Sequence, residues 1–207
     1  MPPVDDASGA GSEAILTVPE LRDYDLINKE LQRLLDAGAT RVVLAGVEGQ
    51  RLLAAGLRGP WSATILVEGS AGPELSAALD APNLTVVCRG GTADAAGTGL
   101  RAGRLIIGGD SGDGLGYAQR GGAIVVRGDA GHRAGLMQAG GLLVILGATG
   151  RLAAERQSGG LFVAQEGHVG PHEGRARRGG RLILLGPDRT LPDDVDEAVG
   201  LALGLLG

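Results

Sequence analysis

The chain has 207 residues, a net charge of −5, 43% hydrophobic content and only 2% aromatic content. These values exclude a nucleic-acid binder, which needs a basic stripe with stacking rings, and a disordered chain, which lacks the apolar residues for a core. Thirty-nine glycines, more than twice the usual share of about 7%, ask for a repetitive backbone around a core of Val, Ile, Leu and Ala.

Residues 1–13 read as a flexible tail; "MPPVDDASGAGS" lacks the basic-then-apolar order of a secretion signal. Residues 14–60 read as a small α/β cap. Within it, Ala14–Val18 and Thr40–Gly46 have strand character. "DLINKELQRLLDAG" (Asp25–Gly38) places Ile27, Leu31, Leu34 and Leu35 on one helical face, with Asp25 as the capping residue and Gly38 as the stop.

Residues 61–187 carry a repeat. Gly103 and the glycine pairs ending at Gly122, Gly141, Gly160 and Gly180 are spaced 19, 19, 19 and 20 residues apart. Each is followed by a β-branched or aliphatic run such as Ile124-Val125-Val126 or Leu143-Val144-Ile145. Further glycines recur in register at Gly109, Gly128 and Gly147, at Gly112, Gly131, Gly150 and Gly170, and at Gly116, Gly135 and Gly174; Gly167 continues the first row. Thr64–Gly72 and Thr85–Gly91 are weaker copies. A period this short means stacked units that touch only their neighbours. Apolar runs make the strands, and glycines occupy corners that need a positive φ or a close approach of backbone to backbone. The predicted fold is mainly β: a single-stranded right-handed parallel β-helix of about seven coils, with aliphatic ladders filling its interior. Residues 188–207 close the chain with a helix beginning near Pro192, where Asp193 and Asp194 suit a helix start.

The search for chemistry on this chain returns no catalytic residue, metal ligand or cofactor site. Cys88 aligns with Ile107, Val126 and Ile145 and reads as a core thiol. As the single cysteine it excludes an internal disulfide and fits a reducing cytoplasm. His168 and His172 stand four apart, but Gly170 and Pro171 between them exclude the helix that would bring them together. His132 shares its corner position with Asp94 and Asp113 and is expected in solvent. The glycine-rich "GGDSGDGLG" precedes no helix with a lysine, so it is no phosphate loop. Arg101 and Arg120 share one coil position, with Arg178 close to it, as a solvated edge. No apolar run reaches the ~18 residues of a membrane span.

One feature asks for a partner. Three consecutive aliphatic residues per coil leave at least one facing outward whichever parity faces in. With Ile124 and Val126 inside, the outward ladder is Ile106, Val125, Val144 and Ile183, which needs a cover. The N-terminal cap or a partner subunit can supply it, so these four residues are a candidate interface. A second irregularity falls between Arg151 and Arg178. "RLAAERQSGG" lacks a glycine near Ala154, and "EGHVGPHEGRARRGG" runs one residue long, so a bulge is expected there.

"GGDSGDGLGYAQRGGAIVVRGDAGHRAGLMQAGG" (Gly108–Gly141) resembles the Gly-x-Gly-x-Gly domain that closes the large chain of glutamate synthase. "LINKELQRLLDAGATRVVL" followed by "QRLLAAGL" is similar to the lead-in of that domain's free-standing form, so the resemblance spans about Leu26–Gly186. It implies a non-catalytic subunit in a split glutamate-synthase-like system, N-methylglutamate synthase included. The implied partners are a glutaminase-like subunit and an FMN-binding synthase subunit, with FMN and an iron–sulfur cluster on a partner and no cofactor on this chain. The β-helical subunit of formylmethanofuran dehydrogenase or formyltransferase-type complexes shares the same β-helix and is the alternative. A stand-alone β-helical binding module or lyase is the other; a single lysine, Lys29, and the near-absence of rings for sugar stacking speak against a lyase.

Overall fold

The computed structural model describes residues 12–21, 23–166, 168–186 and 190–206; residues 1–11 of the expected tail, and Gly167, lie outside them. Among the described residues nine strands, β1 (Ser12–Thr17), β2 (Ala39–Glu48), β3 (Ala63–Ser70), β4 (Asp80–Cys88), β5 (Ala102–Ile107), β6 (Arg120–Val126), β7 (Ala139–Ile145), β8 (Gly159–Gln165) and β9 (Arg181–Leu185), form one sheet. Their spatial order is their sequence order, and every pairing between neighbours is parallel. A parallel neighbour cannot be reached by a hairpin, so the chain makes a full circuit between strands. The result is a β-helix of about seven coils, as the repeat predicts. Three helices complete it: α1 (Val18–Leu21), α2 (Tyr24–Asp36) and α3 (Asp193–Leu206).

Each coil has three parts. The first is the strand. The second is a corner where single residues bridge coil to coil, in the row Ala71, Thr92, Ser111, Ala130, Thr149 and Val169. The third is a return arm in which alternate residues take the left-handed conformation. Leu52, Ala54 and Gly56 do so in the first coil, and Glu74, Ser76 and Ala78 in the second. The same alternation runs through every later coil to His172, Gly174 and Ala176 in the last. From the second arm onward the central residue donates its N–H to the coil before it, as Gly135 does to Leu115 and Ala154 does to Ala134. In the first six arms the outer two donate to the coil after, as Arg133 does to Arg151 and Met137 does to Glu155. Left-handed residues thus turn successive amides toward opposite neighbours, and the arm bonds both ways without being a β-strand.

The inner face takes alternate strand residues: Ile65 and Val67, Val86 and Cys88, Leu105 and Ile107, Ile124 and Val126, Leu143 and Ile145, Phe162 and Ala164, all at most 1% exposed. Leu53, Leu75, Ala96, Leu115, Ala134 and Ala153 from the arms fill the space opposite. This decides the parity that sequence leaves open, and it puts Cys88 in the core.

Three expectations need correction. The helix cap is Asp23, whose carboxylate accepts from the Asp25 N–H; Asp25 lies in the first turn and bonds Lys29. The β-helix begins earlier than residue 61, because β2 already belongs to the sheet and Leu52–Gly56 is the first arm. Residues 12 and 13 belong to β1 rather than to a tail. The cap proper is β1, α1 and α2, with Ile27, Leu31 and Leu35 buried against the first coil.

The first part of the segment expected to bulge keeps its coil, while the extra residue enters between Val163 and Val169, a stretch that includes Gly167, which lies outside the described residues. Ala154 takes φ +53° where the three coils before it have glycine, and its amide makes the same bond to the coil before. A methyl group tolerates that conformation at a cost of roughly 1 kcal/mol, which a stacked neighbour on each side outweighs.

Candidate functional site

The corner glycines divide into two physical classes. A β-carbon on Gly109 would lie 2.8 Å from the Gly91 nitrogen of the coil below. Gly112, Gly128, Gly131, Gly147 and Gly150 are crowded in the same way by the preceding coil, each against an Asp or His side chain as well as backbone. Gly116 and Gly135 instead have φ of +64° and +69°, and a β-carbon on Gly135 would press on the Phe162 ring at 2.7 Å. In Gly112-Asp113-Gly114-Leu115-Gly116 the first glycine answers to crowding, and the other two to the left-handed arm.

The side chains that crowd the first class have a task. The Asp94 carboxylate accepts the Asp113 N–H at 2.9 Å, Asp113 accepts the His132 N–H at 2.7 Å, and His132 Nδ1 accepts the Arg151 N–H at 3.0 Å. A parallel row runs from Asp110 to the Asp129 N–H and from Asp129 to the Ala148 N–H. These side chains staple each corner to the next coil. The His132 ring is exposed as expected, but it also stands in for an aspartate, with its proton on Nε2.

A second polar row is harder to read from sequence. Gln119, Gln138 and Gln157 are completely buried inside the β-helix, stacked one per coil. The Gln138 amide donates to Gln119 Oε1 at 3.2 Å and Gln157 to Gln138 Oε1 at 3.0 Å. Each Nε2 also donates to a carbonyl of the glycine pair that follows it and to one of the next coil: Gln138 to Gly141 and Leu161, Gln157 to Gly160 and Arg181. The glycine pairs distort the strand, with register shifts beside Ala123 and Leu142, and leave carbonyls facing inward that the amides satisfy. The signal in the sequence is Gln-x-Gly-Gly, at Gln119, Gln138 and Gln157, ending as Arg177-Arg178-Gly179-Gly180. Arg177 takes the last rung and donates to the Gly180 carbonyl at 3.0 Å.

The other chemistry-bearing residues stay apart. His168 and His172 are exposed on the last coil, and among the described residues no group of three or more His, Cys, Asp or Glu is placed to hold a metal ion. Burial raises the Cys88 thiol above its ordinary range; its Sγ lies 3.5 Å from the Gly69 and Gly91 carbonyl oxygens. Arg101 and Arg104 line a shallow groove of about 350 Å³ beside Pro82 and Gly122.

The outward ladder is already covered. Val43, Leu66, Val87, Ile106, Val125, Val144 and Val163 form a second apolar cluster with Val195, Val199 and Ala202 of α3. Ile106, Val125 and Val144 are at most 4% exposed, and Ile183 packs against the cluster half-buried. The candidate interface is therefore an internal contact: the chain supplies its own cover, and these residues are not offered to a partner. Each buried valine on the two sides is worth about 1.5–3 kcal/mol of transfer free energy.

Further accessible surface lies at the two ends. At the first, β1 is the terminal strand of the sheet, and a groove of about 510 Å³ runs between it and α2, lined by Ile15, Leu16, Thr17, Leu26, Lys29, Glu30 and Arg33. Ile15 is 68% exposed. At the other end β9 closes the sheet order, and the last coil presents Arg175, Arg178 and Arg181 to solvent. The chain matches no known protein family, no curated protein and no solved structure. No helix among the described residues is long and apolar enough to cross a membrane.

Proposed function

We propose that this chain is a non-catalytic scaffold subunit of a glutamate-synthase-like amidotransferase complex in the cytoplasm, joining a glutaminase-like subunit to an FMN-binding synthase subunit. The observation that carries the reading is the stacked left-handed arm, because it gives the last two glycines of Gly112-Asp113-Gly114-Leu115-Gly116, within the stretch behind the resemblance, a structural task. Such a rod is held by backbone bonds and buried ladders along its whole length, and its outer corners are free to present fixed contacts to larger enzymes. In this reading the chain contributes geometry, and FMN and the iron–sulfur cluster belong to the synthase partner.

The test is affinity isolation of the tagged full-length chain from its native host. Co-purification of a glutaminase-like protein and a flavoprotein, with glutamine-dependent amine transfer that falls when this chain is omitted, is the expected result. A molybdenum or tungsten subunit in their place would move the assignment to a formylmethanofuran-type complex. Turnover by the isolated chain would end the scaffold reading.

A further inference from the structure

One corner of the β-helix gathers cations that the fold leaves without partners. The Arg101 N–H bonds to the Leu79 carbonyl and the Arg120 N–H to the Leu100 carbonyl, so the two arginines hold one position in successive coils and leave the backbone about 4.8 Å apart. Arg104 follows three residues after Arg101 and is paired with Ala123 of the next strand. All three are exposed, and among the described residues none makes an ion pair. By contrast Lys29, Arg33, Arg41, Arg51, Arg89 and Arg133 each hold an acid at 2.6–3.7 Å. Asp80, in the coil before Arg101, is half-buried and pairs with none of the three. Arg101 and Arg104 line the groove of about 350 Å³; its remaining floor of Ala102, Gly103, Gly122 and Ala123 is too small to fill it.

The groove continues into an apolar slot between the sheet and α3. Arg104 and Ala123 line both, and the slot adds Ile106, Val125, Ala198 and Leu201. Leu201 is 52% exposed and Leu203 39%. The four acids of α3 all lie within residues 193–197, and from Gly200 to Leu206 the helix bears no charge. Neither the groove nor the slot has an acid in its lining. Neither has a ring, so the surface is not built to stack bases.

We propose that this surface docks an acidic segment of a partner protein, whose carboxylates meet Arg101, Arg104 and Arg120 while an apolar side chain of the same segment seats beside Leu201. Guanidinium–carboxylate bonds are charge-assisted and often bidentate. A carboxylate between Arg101 and Arg120 also relieves the repulsion of two like charges one coil apart. A free anion would use the arginines and leave Leu201 bare, so the slot beside the groove favours a peptide. The docking surface does not rest on the amidotransferase reading. A chain that binds the acidic peptide but recruits no glutaminase keeps the surface and loses that reading; a chain that recruits a glutaminase but binds no acidic peptide does the reverse.

Fluorescence anisotropy tests it, with the full-length chain and two labelled peptides, Asp-Glu-Leu-Asp-Glu and Asp-Glu-Ser-Asp-Glu. The wild type should bind the leucine peptide saturably, with an affinity that falls as salt is raised. Arg101→Glu with Arg104→Glu should weaken binding about tenfold or more. Arg127→Glu with Arg151→Glu makes an equal charge change at exposed arginines outside the groove and should leave the affinity within about threefold. Leu201→Ser should weaken the leucine peptide and leave the serine peptide unchanged. Every substituted side chain is exposed, so the circular-dichroism melt of each variant should match the wild type. No binding at about 1 mM chain, or equal losses in the two double variants, would overturn the proposal. Equal binding of the two peptides would also overturn it, leaving an anion site without an apolar seat. So would self-association of the wild type in sedimentation velocity that Arg101→Glu with Arg104→Glu abolishes, which would give the surface to a second copy.

Discussion

The two halves of the β-helix solve the same packing problem with opposite chemistry. The rung that follows each left-handed arm is Leu57, Leu79 and Leu100 in the first three coils, and Gln119, Gln138 and Gln157 in the next three, all at most 3% exposed. The difference tracks the strand that follows. After Leu79 the chain enters β4 directly, and its first residues, Asp80-Ala81-Pro82-Asn83, hold no glycine pair. After each glutamine a glycine pair distorts the strand and turns carbonyls inward. A leucine suffices where no inward polar group is present; where glycine pairs create some, a buried amide becomes the lower-energy choice, because an unpaired buried carbonyl is costly.

Exchanging the two chemistries breaks the comparison most severely. Leu79→Gln places an amide between Leu57 and Leu100, which offer no partner, and removes a fully buried leucine. A loss of about 3–5 kcal/mol is expected in urea unfolding. Gln138→Leu is the milder exchange. It strands Gln119 Oε1, while Gln157 keeps its bonds to Gly160 and Arg181, so about 1–3 kcal/mol should be lost. The triple replacement of Gln119, Gln138 and Gln157 by Leu should cost less than the sum of its three single replacements, since replacing Gln138 or Gln157 alone orphans the Oε1 of the preceding glutamine and the triple leaves no lone amide. Strict additivity would show that the ladder is three independent caps rather than one network.

The halves also differ in how far their sequence can be read. In the glycine-pair half the 19-residue period puts β5 to β8 in place, and with them the inward and outward rows. In the leucine half the spacings lengthen and the same strands are weaker copies, so the repeat points to a start at residue 61 although β2 and the arm at Leu52–Gly56 already belong to the β-helix. Periodicity reveals which residues share a row, but not what lies against the row. Val125 reads as outward from its spacing alone. That α3 covers it depends on contacts between residues about seventy positions apart, and α3 itself contains two interior glycines that mask its strength. The glutamines escape notice for a different reason. Polar residues near a turn are ordinarily solvent-facing, and only the recurrence of Gln two residues before a glycine pair marks these as internal.

The seam between the halves carries a pH-sensitive group. Cys88 closes β4, two strands before the first of these glycine pairs, in β6, and desolvation raises its thiol pKa, an effect that hydrogen bonds from backbone amides partly offset. The folded chain therefore holds this proton at pH values where the unfolded chain has released it. Stability from this group is fully present below the ordinary thiol value of about 8.5 and is lost as pH rises from there through the folded value. The difference in unfolding free energy between wild type and Cys88→Ala, measured from pH 7 to 10, should shrink with increasing pH, by at most about 1.4 kcal/mol per pH unit. A constant difference would place the thiol in contact with solvent.

The smallest effect tests whether the left-handed arm is set by glycine or by stacking. The third arm position is Gly99 in one coil and Met137 two coils later, with φ of +65° and +58°. If stacking imposes the conformation, both sites store the same backbone preference and differ only in who bears it. A β-carbon on Gly99 meets nothing within 4 Å, so Gly99→Ala adds strain without a clash and should cost about 1 kcal/mol. Met137 is 40% exposed, so Met137→Gly gives up little packing and relieves the same strain. The gain is reduced by the freedom that glycine adds to the unfolded chain, about 0.4–1 kcal/mol, and a net stabilisation of a few tenths of a kcal/mol is expected. Opposite signs in thermal unfolding would show that the coil dictates the backbone and glycine merely suits it. Destabilisation by both changes would mean that Met137 contributes packing that its exposure conceals, and that the later coils hold their arms through side chains rather than through the backbone bonds shared by all seven.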